Sequence, residues 1–201
     1  MDVVSDFGMS PGLRISRVMW QTHWPLATIG VKELSTRPNK FLERLVAEHP
    51  EFFTVEFTDI KKMKKVAAGQ FGTVFKALYQ GEKVAVKRLD FVDRKHYKYL
   101  VREIQNLRQV DHPYILKYVG VAHDQYREVY LVTEFVDGAT MTTVCKKIRK
   151  KYDVILDFAI KLALCMLYLN HFHNMVHRDI KLDNVMVGIG RSNNSFPGFH
   201  H

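Results

Sequence analysis

At 201 residues the chain is long enough for one good-sized domain or two small ones, and its 47% hydrophobic residues exclude wholesale disorder. Its formal charge of +9 invites a nucleic-acid reading, but the basic residues sit in short runs, KKMKK at 61–65 and KKIRKK at 146–151, without regularly spaced stacking aromatics. Such runs read as solvated faces, and nucleic acid is disfavoured as a partner.

The N-terminus, Met1-Asp2-Val3-Val4-Ser5-Asp6, has no basic region followed by an apolar run and does not read as a secretory signal. Residues 66–89, VAAGQFGTVFKALYQGEKVAVKRL, alternate in the strand manner at Val74 and Lys76 and again at Val84 and Val86, with a turn at Gln80-Gly81-Glu82. A second turn, Ala68-Gly69-Gln70-Phe71-Gly72, carries glycines where a side chain would obstruct close approach. Such a turn can lay backbone N–H groups over a phosphate chain. Gly-x-x-Gly is common in hairpins, so the weight comes from Lys87, at the end of Val84-Ala85-Val86-Lys87 one strand later.

Residues 94–110 carry a helical stripe of Tyr97, Leu100, Val101, Ile104 and Leu107. Glu103 lies beside that stripe. Most helix glutamates are solvated; the sharper reading is an ion pair with Lys87 that aims the lysine at phosphate oxygens. Residues 115–121 and 129–136 read as strands, followed by Asp137-Gly138. Residues 153–171 predict a long apolar helix. Asp157 and Lys161 interrupt it, and the uncharged remainder is too short to span a bilayer, so it reads as a buried helix with no membrane partner. Then comes HRDIKLDNVMV at 177–187, the most specific string in the chain: an Asp, a Lys two residues on and an Asn five residues on make a compact acid–base and metal constellation. The last dozen residues are rich in turn formers and predict a frayed tail. Cys145 and Cys165 form neither a disulfide framework nor metal-type spacing, which fits a reduced, cytoplasmic compartment.

In this order these motifs resemble the protein kinase family, from about residue 57 to Val187. The resemblance implies an α+β fold: a small lobe (57–136) with a five-stranded antiparallel sheet and one helix, and the first part of a helical large lobe (137–201), with ATP between them. Residues 1–56 form an N-terminal segment. Gly69 and Gly72 match the second and third glycines of the phosphate loop, Phe71 is its tip, and Ala67 replaces the first glycine. Lys87 matches the lysine on the α and β phosphates and Glu103 its partner. Val66, Val74 and Ala85 would roof the adenine and Met186 floor it. Thr133 would guard the back of the pocket, and the backbone of Glu134 and Val136 would bond the adenine edge. Asp179 matches the residue that accepts the proton of a protein hydroxyl, Lys181 would neutralise the γ-phosphate, and Asn184 would hold Mg2+. Lys181, with "GEKVAVKRL" and "HPYILKYVGV", resembles the tyrosine-kinase-like group of serine/threonine kinases.

In that family a magnesium-binding Asp-Phe-Gly follows the Asn on the next hairpin, yet no Asp or Glu occurs here after Asp183. An Asp-Phe-Gly stands instead at residues 6–8, and STRPNKFLERLV at 35–46 resembles a string near the end of such domains. These imply a shortened remnant of a preceding kinase domain rather than a circular permutation, which about fifty residues are too few to complete. Two functions follow from the resemblance: an ATP-dependent serine/threonine kinase acting on protein substrates, or a truncated kinase serving as a nucleotide- or partner-binding module. If large-lobe helices are missing, Phe158, Leu162, Cys165, Met166 and Leu169 are expected to be partly uncovered.

Overall fold

The computed structural model describes residues 13–18, 40–69, 72–89, 94–146 and 152–189. In chain order the elements are β1 (Leu13–Val18), α1 (Lys40–Glu48), two 3-10 turns (Pro50–Phe52 and Phe57–Asp59), β2 (Lys61–Gly69), β3 (Gly72–Tyr79), β4 (Glu82–Arg88), α2 (Arg94–Gln109), β5 (Tyr118–His123), β6 (Val129–Glu134), β7 (Gly138–Thr140), α3 (Met141–Cys145), α4 (Tyr152–His173), a third 3-10 turn (Leu182–Asn184) and β8 (Val185–Ile189). They fall into two compact units. One holds α1, β2 to β6 and α2; the other holds β1, residues 109–117, β7, α3, α4 and β8.

The first unit is built on an antiparallel sheet of order β2-β3-β4-β6-β5. Gln80 and Gly81 both have positive φ, 51° and 84°, the two-residue turn whose twist suits a β-hairpin. On α2, Tyr97, Leu100, Ile104 and Leu107 are buried, as the helical stripe requires. The strand expected at 115–121 begins later, at Tyr118. His112-Pro113 makes a turn there, with the Ile115 N–H donating to the His112 carbonyl at 3.0 Å. The segment after α1 lies along β5. Thr54 Oγ1 donates to the Val119 carbonyl and Tyr118 Oη to the Phe52 carbonyl, each at 3.3 Å, and Phe52, Val55 and Ile60 are buried.

The second unit has a three-stranded antiparallel sheet of order β1-β8-β7. β1 comes from the far end of the chain: Leu13 faces Ile189 and Val18 faces Val185, with a bulge between Ile15 and Arg17. Met141 and Val144 of α3, Phe158 of α4, and Val185 and Val187 of β8 form one apolar cluster. Cys165, Leu169 and Met175 form another with Val110 and Ile115.

The face of α4 expected to be uncovered is the packed one. Phe158, Cys165 and Leu169 are buried and Leu162 and Met166 half-buried, while Ile155, Leu156, Ile160, Leu164 and Leu167 are exposed. Residues 158, 162, 165 and 169 repeat every three or four positions and so form a single stripe, which this unit's own small core covers. This corrects the expectation of a buried helix too short to span a bilayer: by length and composition α4 could cross one, with a mean hydropathy of 1.5 within Val154–His173, and only 17% of that stretch is buried. Here it packs one stripe into the fold and carries an Asp157–Lys161 ion pair at 2.5 Å.

Two consequences are measurable. A Cβ added at Gly120 would meet Thr54 Oγ1 at 2.3 Å and Val55 Cγ2 at 2.6 Å, so Gly120→Ala should lower stability by about 1–3 kcal/mol in urea unfolding. Burial holds the hydroxyls of Tyr97, Tyr118 and Tyr130 above the usual tyrosine range, Tyr97 up to about 12. An unfolded tyrosine ionises near pH ~10. Below that both states keep the proton; above it only the unfolded chain releases it, so stability falls as pH rises from about 10 through the folded values. Base titration should show loss of circular dichroism together with tyrosinate absorbance. Stability unchanged through about pH 12 would contradict this account.

Candidate functional site

The loop between α4 and β8 is set by how α4 ends. Asn174 takes the left-handed conformation, φ 53°, and the Met175 N–H reaches back to the Leu169 carbonyl at 2.9 Å, a helix stop that releases the chain toward His177. His177 is buried, and its Nδ1 accepts the Asp179 backbone N–H at 3.3 Å, which leaves the proton of a neutral ring on Nε2. Arg178 between them has φ 66°, a conformation uncommon for a residue with a Cβ. Backbone strain of this kind is kept where surrounding contacts hold it in place.

Those contacts converge on Asp179. Asn184 Nδ2 donates to both the Asp179 carbonyl and its Oδ2, each at 2.8 Å. Lys181 Nζ lies 3.1 Å from the same Oδ2. The three residues expected to act together are therefore assembled within one unit. Asp183, the other carboxylate of the string, is exposed and accepts the Thr142 hydroxyl at 2.5 Å.

Asn184 is fully buried, and its Oδ1 has no hydrogen-bond partner. An orphaned buried amide oxygen is costly and needs an explanation. A hard oxygen donor with unused lone pairs beside a carboxylate suits Mg2+. Asn184 Oδ1 fits as one ligand of that ion, with water and phosphate oxygens left to complete the shell, since among the described residues no group of three His, Cys, Asp or Glu side chains could hold a metal alone.

In the sheet unit, antiparallel register places opposed residues on one face. Val74 opposes Lys87 and Ala67, while Ala85 opposes Thr133, so Val74, Ala85, Lys87 and Thr133 share a face. Gly69 pairs with Gly72 across the hairpin, and Gly72 has φ 107°, a conformation that favours glycine. Phe71 lies outside the described residues. Val66 sits in a bulge between Lys65 and Ala67 and is half exposed. Glu103 is buried on α2 between Leu100 and Ile104. The Glu134 carbonyl accepts the Thr133 hydroxyl at 3.3 Å. Val136 and Met186 are half-buried; Val136 follows β6, and Met186 lies on β8 opposite Thr140 and Arg17.

Among the described residues the buried polar or charged side chains are Glu103, Thr133, Glu134, His177 and Asn184. Every one is a residue singled out by the motifs or stands inside the HRDIKLDN string. Sequence reasoning gave His177 no role of its own, although its place two residues before Asp179 was the available signal. It also missed the pairing of β1 with β8, whose register sets Val18 opposite the residue after Asn184. Asp6 lies outside the described residues.

The chain matches the family model "Protein tyrosine and serine/threonine kinase" over residues 60–193. It is 33% identical over 136 residues to the RasGEF domain-containing serine/threonine-protein kinase X of Dictyostelium discoideum, covering 66% of this chain and 14% of that protein. With the Kinase and exchange factor for Rac A of the same organism it shares 31% identity over 143 residues, 70% of this chain and 11% of the other. Serine/threonine-protein kinase max-2 of Caenorhabditis elegans is 33% identical over 130 residues, 63% of this chain and 20% of its own length. The chain thus spans only a small part of these longer relatives. The family match, together with the five-stranded antiparallel sheet and the loop from His177 to Asn184, shows that the chain belongs to the protein tyrosine and serine/threonine kinase family.

Proposed function

We propose that the chain carries the ATP–Mg2+ site of a serine/threonine kinase that acts on protein hydroxyls. The observation that carries this reading is the Asp179–Lys181–Asn184 cluster with its orphaned Asn184 Oδ1. In it Asp179 accepts the proton of the attacking hydroxyl, held in place by the Asn184 amide. Lys181 offsets negative charge on the transferred phosphoryl group. Lys87, aimed by Glu103, takes the α and β phosphates, and Val74 and Ala85 cover the base. Bound Mg2+, held by Asn184 Oδ1, would supply neutralisation of phosphate charge. Phosphoryl transfer depends on such positioning and neutralisation more than on covalent chemistry.

A second reading, a module that binds nucleotide or a partner without transfer, is favoured by one specific observation. Residues 185–201 contain no Asp or Glu, whereas the kinase pattern sets a second metal carboxylate on the hairpin after the Asn. Losing one preorganised electrostatic group typically costs about a hundred- to a thousandfold in rate.

Calorimetric titration of the 201-residue chain tests the site. ATP should bind more tightly with Mg2+ than without, and Asn184→Ala should erase that difference. Lys87→Met should weaken ATP by about ten- to a hundredfold, the worth of a hydrogen bond to a charged group. Equal affinity of wild type and Lys87→Met would contradict the assignment. Radiolabel transfer separates the two readings. Transfer to a protein substrate that disappears in both Lys87→Met and Asp179→Asn is expected from the kinase reading; a wild type that binds ATP–Mg2+ and transfers nothing would establish the second reading instead.

A further inference from the structure

Glu103 can serve Lys87 only if α2 is held at one height, and α1 and the turn after it make side-chain contacts near both ends of that helix. In the first turn of α2, the Tyr97 hydroxyl donates to Glu48 Oε2 at 2.6 Å. Arg44 Nε donates to the other oxygen of the same carboxylate at 2.7 Å, and its guanidinium lies 4.4 Å from the Tyr97 ring centroid. In the last turn, Arg108 approaches Glu51 Oε1 at 3.8 Å and lies over the Phe52 ring at 5.6 Å. Glu103 stands between these two points, six residues after Tyr97 and five before Arg108. The brace is itself anchored: Leu45 and Phe52 are fully buried, and Arg127, in the β5–β6 turn, pairs with Glu43 at 2.6 Å. The Arg44 and Tyr97 hydrogen bonds also hold the Glu48 carboxyl below its usual range, so it is charged at neutral pH.

We propose that the segment from α1 through Phe52 is a brace on α2 that fixes the position of Glu103, and that Tyr97 and Glu48 are positioning residues for nucleotide binding. This rests on the reading of Lys87 and Glu103 as the phosphate-binding pair. A hydroxyl-to-carboxylate bond on the first turn restrains rotation and axial slip of the helix. Contacts at one end alone would leave the other turns to shift, and Arg108 supplies the second point. The arrangement couples residues 44–52, which lie outside the family match, to a site inside it.

The test uses Tyr97→Phe, which removes one oxygen from a folded core, and Glu48→Gln, a surface change that keeps the shape of the side chain. ATP affinity with Mg2+ is measured for each, alone and combined with Glu103→Gln, alongside hydrogen exchange of the α2 amides. Each variant should weaken nucleotide binding by about three- to tenfold when Glu103 is present, the scale of one charge-assisted hydrogen bond partly transmitted. Neither should weaken it further in the Glu103→Gln background, because the brace acts through that residue. Exchange should quicken along α2. An equal loss in both backgrounds, or unchanged affinity in a wild type that binds ATP, overturns the proposal. A wild type that binds no ATP overturns the nucleotide site instead. Exchange then decides the brace alone, since faster exchange in Tyr97→Phe supports it and unchanged exchange removes it.

Discussion

Asn184 is fully buried, and its amide N–H groups reach the carbonyl and the carboxylate of Asp179 at 2.8 Å each. A buried amide that lost those partners would cost on the order of 1–3 kcal/mol, so the two bonds favour the observed conformation of the loop from His177 to Asn184. In that conformation Arg178 accepts a strained φ, Lys181 falls beside Asp179, and Asn184 Oδ1 is left buried without a hydrogen-bond partner. The loop is stable because it satisfies all but one of the Asn184 amide's needs. The one left over is what a metal ion could satisfy.

The rest of the fold serves to keep polar groups of this kind buried. β8 continues directly from Asn184 into a cluster with Phe158, Met141 and Val144, so the loop is tied to apolar packing on its C-terminal side. On its N-terminal side α4 is fastened through Cys165 and Leu169 and stopped at Asn174. In the other unit Glu103, Thr133 and Glu134 are likewise drawn inside by apolar neighbours on α2 and β6. The basic run at 61–65 has a plainer reason. Lys61, Lys62, Lys64 and Lys65 are exposed on β2, an outer strand of the sheet, where charge discourages edge-to-edge pairing.

The sheet and α2 were legible in the sequence because their signals are local. Alternation at Val84 and Val86 and the stripe from Tyr97 to Leu107 each fix a buried face within a few residues. The loop from 177 to 184 was legible because chemistry concentrates there in consecutive positions. Other features depend on partners far along the chain. Leu42, Leu45 and Phe52 have no meaning until distant parts of the chain stand beside them: Tyr118 reaches the Phe52 carbonyl across 66 residues and Arg127 reaches Glu43 across 84. The pairing of β1 with β8 spans nearly the whole chain. α4 failed for another reason. It is apolar around its circumference, so periodicity could name a stripe at 158, 162, 165 and 169 but could not say whether that stripe was covered.

The central claim is that the Asn184 cluster is a magnesium–nucleotide site in a chain of the kinase family. A crystal structure of the chain with a non-hydrolysable ATP analogue and Mg2+ tests it most directly. The account predicts the metal about 2.1 Å from Asn184 Oδ1, the ideal for Mg2+–oxygen, with Lys87 on the α and β phosphates. A nucleotide bound with Asn184 Oδ1 still lacking a ligand, or with Lys87 remote from the phosphates, would contradict it.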